Sequence, residues 1–200
     1  MKKSIALFYI ILMAICSCED RDKVIHKTFS EEIPTWSSGT LDQGYLRIRQ
    51  KINLLGLDDL EEGFDSIQIR VWNDYWLTDL RDVFIFKLQN TEWSGEFIAM
   101  NVDGEEKIKK IDKIGITPKS GWNQFIDSLQ EKQITTLPNM RDIGGLNTKV
   151  NDGETHSVEI GTKKYYRFYS YDSPRFFQEH WQAKNMTEIL ELINKEFWQK

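Results

Sequence analysis

Ser66-Ile67-Gln68-Ile69-Arg70-Val71-Trp72 is the stretch that decides the fold. Ile67, Ile69 and Val71 alternate with Gln68, Arg70 and Trp72, which is the two-residue period of a strand. The same rhythm returns downstream at short intervals. Residues 82–89, DVFIFKLQ, place Phe84, Phe86 and Leu88 on one face, and Asn90-Thr91-Glu92 then turns the chain. Residues 93–102, WSGEFIAMNV, set Ile98, Met100 and Val102 opposite Phe97 and Ala99. Asp103-Gly104 is the dipeptide of a tight primed hairpin turn. Residues 106–116, EKIKKIDKIGI, return as a lysine-rich strand suited to a sheet edge. Connections this short imply an antiparallel meander. Between the first two strands, Asn73 to Arg81 reads as a long loop carrying Tyr75 and Trp76.

A second hairpin is expected further on. It joins 154–160, ETHSVEI, to 163–170, KKYYRFYS, through Gly161-Thr162. Tyr165, Arg167 and Tyr169 share one face of the latter, and Tyr166, Phe168 and Ser170 the other. That suits either a strand covered on both sides or a core face backed by a displayed one. Helices complete the pattern. Leu41, Tyr45, Ile48, Ile52 and Leu55 step by three and four, so a helix over 41–57 is preferred to the strand alternation of Tyr45–Arg49. Leu57–Gly63 is turn-rich, with room for one helical turn. Ser120 is positioned to cap a helix over 121–130 striped by Trp122, Phe125, Ile126 and Leu129. Pro174 suits the first turn of a following helix with Phe177, Trp181 and Lys184 roughly in register. Asn185 is the expected cap of an amphipathic helix over 186–198, striped by Met186, Ile189, Leu190, Ile193 and Phe197. The expected class is α+β: an antiparallel sheet of about six strands covered by short helices, including this C-terminal one.

The chain opens MKKSIALFYIILMAICSCED. Lys2 and Lys3 precede eleven apolar residues, Ile5 to Ile15. That run is shorter than the roughly 20 residues a membrane-spanning helix needs, and matches a secretory signal. Ile15-Cys16-Ser17-Cys18 resembles the lipobox of bacterial lipoproteins. The resemblance implies cleavage behind Ser17 and a diacylated Cys18. The physics of anchoring agrees with it, because one acyl chain binds a membrane marginally and two or more hold firmly. It covers residues 1–18 alone. The implied organisation is a signal peptide over 1–17, a lipidated N-terminus and spacer over 18–40, and one globular domain over 41–200. Trp36 is expected to pack on that domain. The implied address is the bacterial cell envelope, with the outer membrane expected and the periplasmic or surface face left open; Glu19-Asp20 resembles an export signal in some bacteria.

Composition narrows the function classes. Phe, Tyr and Trp fill 25 of 200 positions, a density that argues for a packed core. Both cysteines lie within the first 18 residues, so the remainder uses neither disulfides nor cysteine-metal sites. With 26 basic and 31 acidic residues, the net charge of −5 speaks against a nucleic-acid backbone binder. The expected membrane contact is the lipid anchor itself.

Catalytic signatures are sparse. The three histidines are His26, His156 and His180. His156 shares a strand face with Glu154 and not with Glu159, and His180 sits beside Glu179. No HExxH, P-loop, dinucleotide-binding glycine pattern or GxSxG element occurs. Neither metal nor cofactor is expected. Tyr75, Trp76, Tyr165, Arg167, Tyr169 and Trp181 are the candidate binding residues, because amphipathic aromatics and arginine suit recognition surfaces. The expected function is a lipid-anchored, non-enzymatic role toward a protein or glycan. The alternatives are an envelope hydrolase and an inhibitor or immunity-type partner of a toxin. An exposed apolar patch near Tyr75-Trp76 favours a binder; a pocket with converging titratable groups favours an enzyme.

Overall fold

The computed structural model describes residues 30–35, 39–105, 107–146 and 153–198. The expected signal peptide, lipobox, His26 and Trp36 lie outside them. The strands are β1 (Ser30–Glu32), β2 (Ile67–Tyr75), β3 (Leu80–Gln89), β4 (Glu92–Val102), β5 (Ile108–Ile116), β6 (Glu154–Thr162) and β7 (Tyr165–Asp172). The helices are α1 (Gln43–Leu55), α2 (Trp122–Glu131) and α3 (Trp181–Phe197). One seven-stranded sheet runs β1-β7-β6-β2-β3-β4-β5, so β2 is its middle strand. The class is α+β and the sheet is mostly antiparallel. It has seven strands rather than about six, because Ser30–Glu32 pairs in parallel with Tyr165–Arg167. Three exposed polar residues carry no periodicity, so that stretch reads as spacer until the sheet edge recruits it.

Both faces of the sheet are covered. Ile69, Val71, Phe84, Phe86, Val158 and Tyr169 pack under α2 and α3. Trp72, Val83, Ile85, Ile98, Tyr166 and Phe168 pack under α1. The alternation in β2 therefore does not separate core from solvent. Its polar members are buried too: Gln68 and Arg70 are at 0% exposure, as is Glu159 of the neighbouring β6. Glu159 lies 3.5 Å from Arg70 Nη1, accepts from Trp72 Nε1 at 2.8 Å and accepts from Tyr166 OH at 3.0 Å. Arg70 also donates to the Asp58 carbonyl at 2.7 Å. The charges neutralise each other, which is the condition for holding them away from water.

The helices follow their stripes, with corrections at their ends. In α1 the residues Tyr45, Ile48, Ile52 and Leu55 are buried. Asp42 caps it, accepting from the Gly44 and Tyr45 amides, and Gly56 at φ 65° closes it. One helical turn does form at Leu60–Glu62. Gly121, not Ser120, is the N-cap residue of α2; the Ser120 amide instead donates to Glu196 Oε2 at 2.8 Å, tying α2 to α3. Pro174 opens a single 3-10 turn, Pro174–Phe176. α3 begins at Trp181, so Asn185 lies inside it and caps nothing. Ala183 is buried one turn before Met186, and that extra contact lengthens the apolar stripe by a turn. Phe86, Phe125 and Phe197 interlock, with centroids 5.0 to 5.9 Å apart, and pin the end of α3 to the sheet.

Two loops also differ. Asp103 accepts from the Glu105 and Lys107 amides, so β4 and β5 are joined by a wider turn than a primed dipeptide makes. The expected loop of Asn73–Arg81 is strand over most of its length. β2 runs to Tyr75 and β3 begins at Leu80, leaving Trp76–Asp79 as the turn. Asn73 and Asp74 are turn formers by composition, but the sheet gives their side chains partners, Asp82 for Asn73 and Lys51 for Asp74.

Candidate functional site

The end of the sheet where β2 turns into β3 carries both a cleft and an exposed tip. Strand register builds the cleft. Asn73 stands opposite Asp82 on β3 and opposite His156 on β6. Residues opposite one another share a face, so the three side chains form a row under α3. Asn73 joins them: its Nδ2 donates to Asp82 Oδ1 at 2.6 Å, and its Oδ1 lies 2.6 Å from His156 Nδ1. Tyr75 and Glu154 form the next row outward. Tyr75 stands near enough to Asp82 to feel its charge, and Glu154 pairs with Arg175 from the 3-10 turn. Leu190, Ile193, Asn194 and Trp198 of the C-terminal segment make the opposite wall, enclosing about 470 Å³.

The electrostatics follow from burial. Desolvation raises the Asp82 carboxyl from 3.8 to about 6, against the lowering effect of hydrogen bonds from Asn73 and Tyr75. Burial first, then the Asp82 charge, pushes the Tyr75 phenol up. Glu154 is held below its usual value by His156 first and by Arg175 in addition. His156 is 4% exposed. Its Nε2 lies 3.4 Å from Glu154 Oε1, yet no described residue hydrogen-bonds it.

The tip is the turn itself. Trp76 is 47% exposed and Leu77 is 77% exposed, with Leu80 beside them. It is braced from within. Arg81 Nη1 donates to the carbonyls of Tyr75, Thr78 and Leu80 at 2.7 to 2.8 Å. Trp76 Nε1 donates to Thr155 Oγ1 at 3.0 Å, which fixes the indole.

The sequence-predicted binding residues divide. Tyr75 lines the cleft and Trp76 stands on the tip. Arg167 donates to the carbonyls of Thr135 and Leu137, pairs with Glu32 at 2.9 Å, and lies 5.3 Å from the centroid of the Tyr169 ring. Tyr169 and Tyr171 donate to the carbonyls of Ile134 and Pro138 at 2.6 and 2.9 Å. These side chains of β7 thus hold the segment after α2 against the sheet. Tyr165 sits half-buried at the β1 edge, with its phenol raised to about 12, chiefly by burial. Trp181 is exposed at the start of α3. His180 contacts Glu179 at 3.7 Å.

Asn73, Asp82, Arg175 and Trp198 are site residues that the sequence reading passed over. The one available signal was the shared face of His156 and Glu154. A larger hollow of about 540 Å³ lies at the opposite end of the sheet, lined by Asp58, Asp59, Glu62, Asp65 and Lys163. It is an acidic rim, in which Asp59 is already bound to Arg49 at 2.5 and 2.6 Å. Among the described residues, no group of three or more His, Cys, Asp or Glu side chains is placed to hold a metal ion. None of their helices is long and apolar enough to cross a membrane.

Compared with protein-family models, with curated proteins and with solved structures, the chain matches none.

Proposed function

We propose that this protein is a lipid-anchored, non-enzymatic binding domain of the bacterial envelope, engaging a protein or glycan partner through the sheet end at Trp76–Leu80. The anchor part of the reading rests on the lipobox-like Ile15-Cys16-Ser17-Cys18. The observation that carries the binding part is the braced tip. Trp76 and Leu77 stay exposed while Arg81 and Thr155 hold the turn and the indole in place. An apolar anchor that is already rigid loses little entropy when a partner covers it, and tryptophan is a preferred anchor type. Covering Leu77 is worth roughly 1.5–3 kcal/mol, or about 10- to 100-fold in affinity. Leu77→Asp should therefore cut recovery of the partner from detergent-solubilised envelopes by at least about tenfold. The side chain is too exposed for the change to disturb the fold. Partner recovery equal to wild type would remove the tip from the reading.

A hydrolase is the second reading, and one observation favours it. Asp82, raised to about 6, and His156 share a cleft, so a carboxyl able to deliver a proton stands beside an imidazole. Turnover of envelope glycans or peptides that disappears in Asp82→Asn would replace the binding role with this one.

A further inference from the structure

The two edges of the sheet are unlike. β1 is three residues long and leaves little to pair with. β5 runs nine residues, and residues 109–115 are all exposed. Among the described residues, no backbone group outside β4 bonds to 108–116. In an antiparallel pair the backbone groups of alternate residues point away from the partner. The outer side of β5 therefore presents a row of unused N–H and C=O groups, which is a template for a further strand. Proteins blunt such an edge with brevity, proline, a bulge or charge. β5 is long and has no proline, and its one irregularity lies at its start, across from Asn101 and Val102. Charge is the device that remains.

That charge is mostly of one sign. β5 carries Lys109, Lys110 and Lys113 against Asp112 alone, on a chain of net charge −5. Lys109 pairs with Asp103 at 2.8 Å and Lys110 with Asp112 at 2.6 Å, while Lys113 reaches the Leu55 carbonyl at 3.4 Å. Exposed pairs of this kind are weak, so an incoming carboxylate can take the lysines over. Opposite charges set directly across from one another favour strand pairing, and like charges oppose it. The lysines thus make the edge selective. Two apolar side chains stand among them. Ile111, opposite Met100, is exposed on the α1 face. Ile114, opposite Phe97, is exposed on the α3 face, where Trp198 packs on Phe97 at 4.9 Å. Residues directly opposite share a face. A strand laid along β5 would cover both isoleucines with apolar residues opposite 111 and 114, and would meet both lysines with carboxylates opposite 110 and 113.

We infer that β5 takes an extended acidic segment of a partner protein as an added strand, with carboxylates opposite Lys110 and Lys113 and apolar residues opposite Ile111 and Ile114. Main-chain bonds supply the hold, and these side chains the choice. This surface goes beyond the tip and depends on neither the tip nor the lipid anchor. The test is amide hydrogen exchange, read by proton–nitrogen NMR on the full chain in detergent. The probes are two end-capped peptides, Thr-Val-Glu-Thr-Val-Glu-Thr for an antiparallel strand and Thr-Glu-Val-Thr-Glu-Val-Thr for a parallel one. The controls are the same peptides with lysine for glutamate, and with N-methylated amides. One acidic peptide should slow exchange saturably at alternate amides of 108–116 and leave those of Trp76–Asp79 unchanged. Lys110→Glu with Lys113→Glu, at exposed positions that leave the fold intact, should weaken that binding by about tenfold or more. Leu77→Asp should not alter it. The inference is overturned if neither acidic peptide protects β5, if the lysine or N-methylated peptides protect it equally, or if the double variant titrates like wild type. Protection that grows with protein concentration alone would give the edge to a second copy of the chain and overturn it as well.

Discussion

Asp82 offers the sharpest test of the cleft's electrostatics. Its carboxyl is 6% exposed and raised from 3.8 to about 6. The folded protein therefore holds a proton there that the unfolded chain has released, over the window from about pH 4 to about pH 6. Stability from this group is fully present below the unfolded value and is lost as pH rises through the folded one. A shift of about two units at 1.36 kcal/mol each makes ionised Asp82 a penalty of up to about 3 kcal/mol at neutral pH. Asp82→Asn keeps an oxygen for Asn73 Nδ2 and cannot ionise. Relative to its own difference from wild type at pH 4, the variant should gain roughly 2–3 kcal/mol of stability by pH 7.5. Other titrating groups are common to both proteins and cancel in the difference. The assay is urea unfolding of both proteins in detergent across that range, read as midpoint at constant slope. A wild-type-minus-variant difference that does not change with pH would refute the argument. It would mean that the hydrogen bonds of Asn73 and Tyr75 fully offset desolvation.

Two further outcomes probe the other ends of the molecule. Glu159→Ala would strand Arg70 together with the donors Trp72 Nε1 and Tyr166 OH, at a cost of about 3–5 kcal/mol. The double change Arg70→Met with Glu159→Leu should recover in the same unfolding assay only the part due to the stranded Arg70 charge, because Trp72 Nε1 and Tyr166 OH still lack their acceptor. Cys18→Ala should move the protein from the membrane fraction to the soluble one on fractionation; retention in the membrane would dismiss the lipobox resemblance.

Much of the architecture was legible because periodicity and short turns are local signals. The strands over 66–72, 82–89 and 93–102 and the stripes of α1, α2 and α3 needed no partner to be seen. What failed was whatever a neighbour decides. Ser30–Glu32 is a strand only because the edge of β7 offers it hydrogen bonds. Asn73 and Asp74 carry turn chemistry, yet they sit in β2 because Asp82 and Lys51 satisfy their side chains. The start of α3 moved from Asn185 to Trp181 because burial of Ala183 outweighed a capping residue. The alternation of β2 and β6 gave the right faces, but it carried no sign that polar members on both faces are buried.

That last point separates two of the buried polar groups, one under each face's helices. Under α1, Arg70 and Glu159 are also not perfectly paired: Arg70 Nη1 makes no hydrogen bond. The atom it faces at 3.5 Å, however, is an oxygen of opposite charge, so the contact is attractive as it stands. Under α3, His156 Nε2 lies 3.4 Å from Glu154 Oε1, and Glu154 is held in turn by Arg175. The first arrangement is sealed between the sheet and α1, whereas the second lines a cleft of about 470 Å³. Their positions follow from register: Arg70 and Glu159 lie opposite one another in mid-strand, covered by α1, whereas Asn73, Asp82 and His156 lie nearer the strand ends. There the covering wall is formed by the last turns of α3 and by Trp198. His156 and Asn73 are 83 residues apart, and a slip of one residue in the pairing would put them on opposite faces. The site is therefore a property of the register, which no stretch of the chain carries by itself.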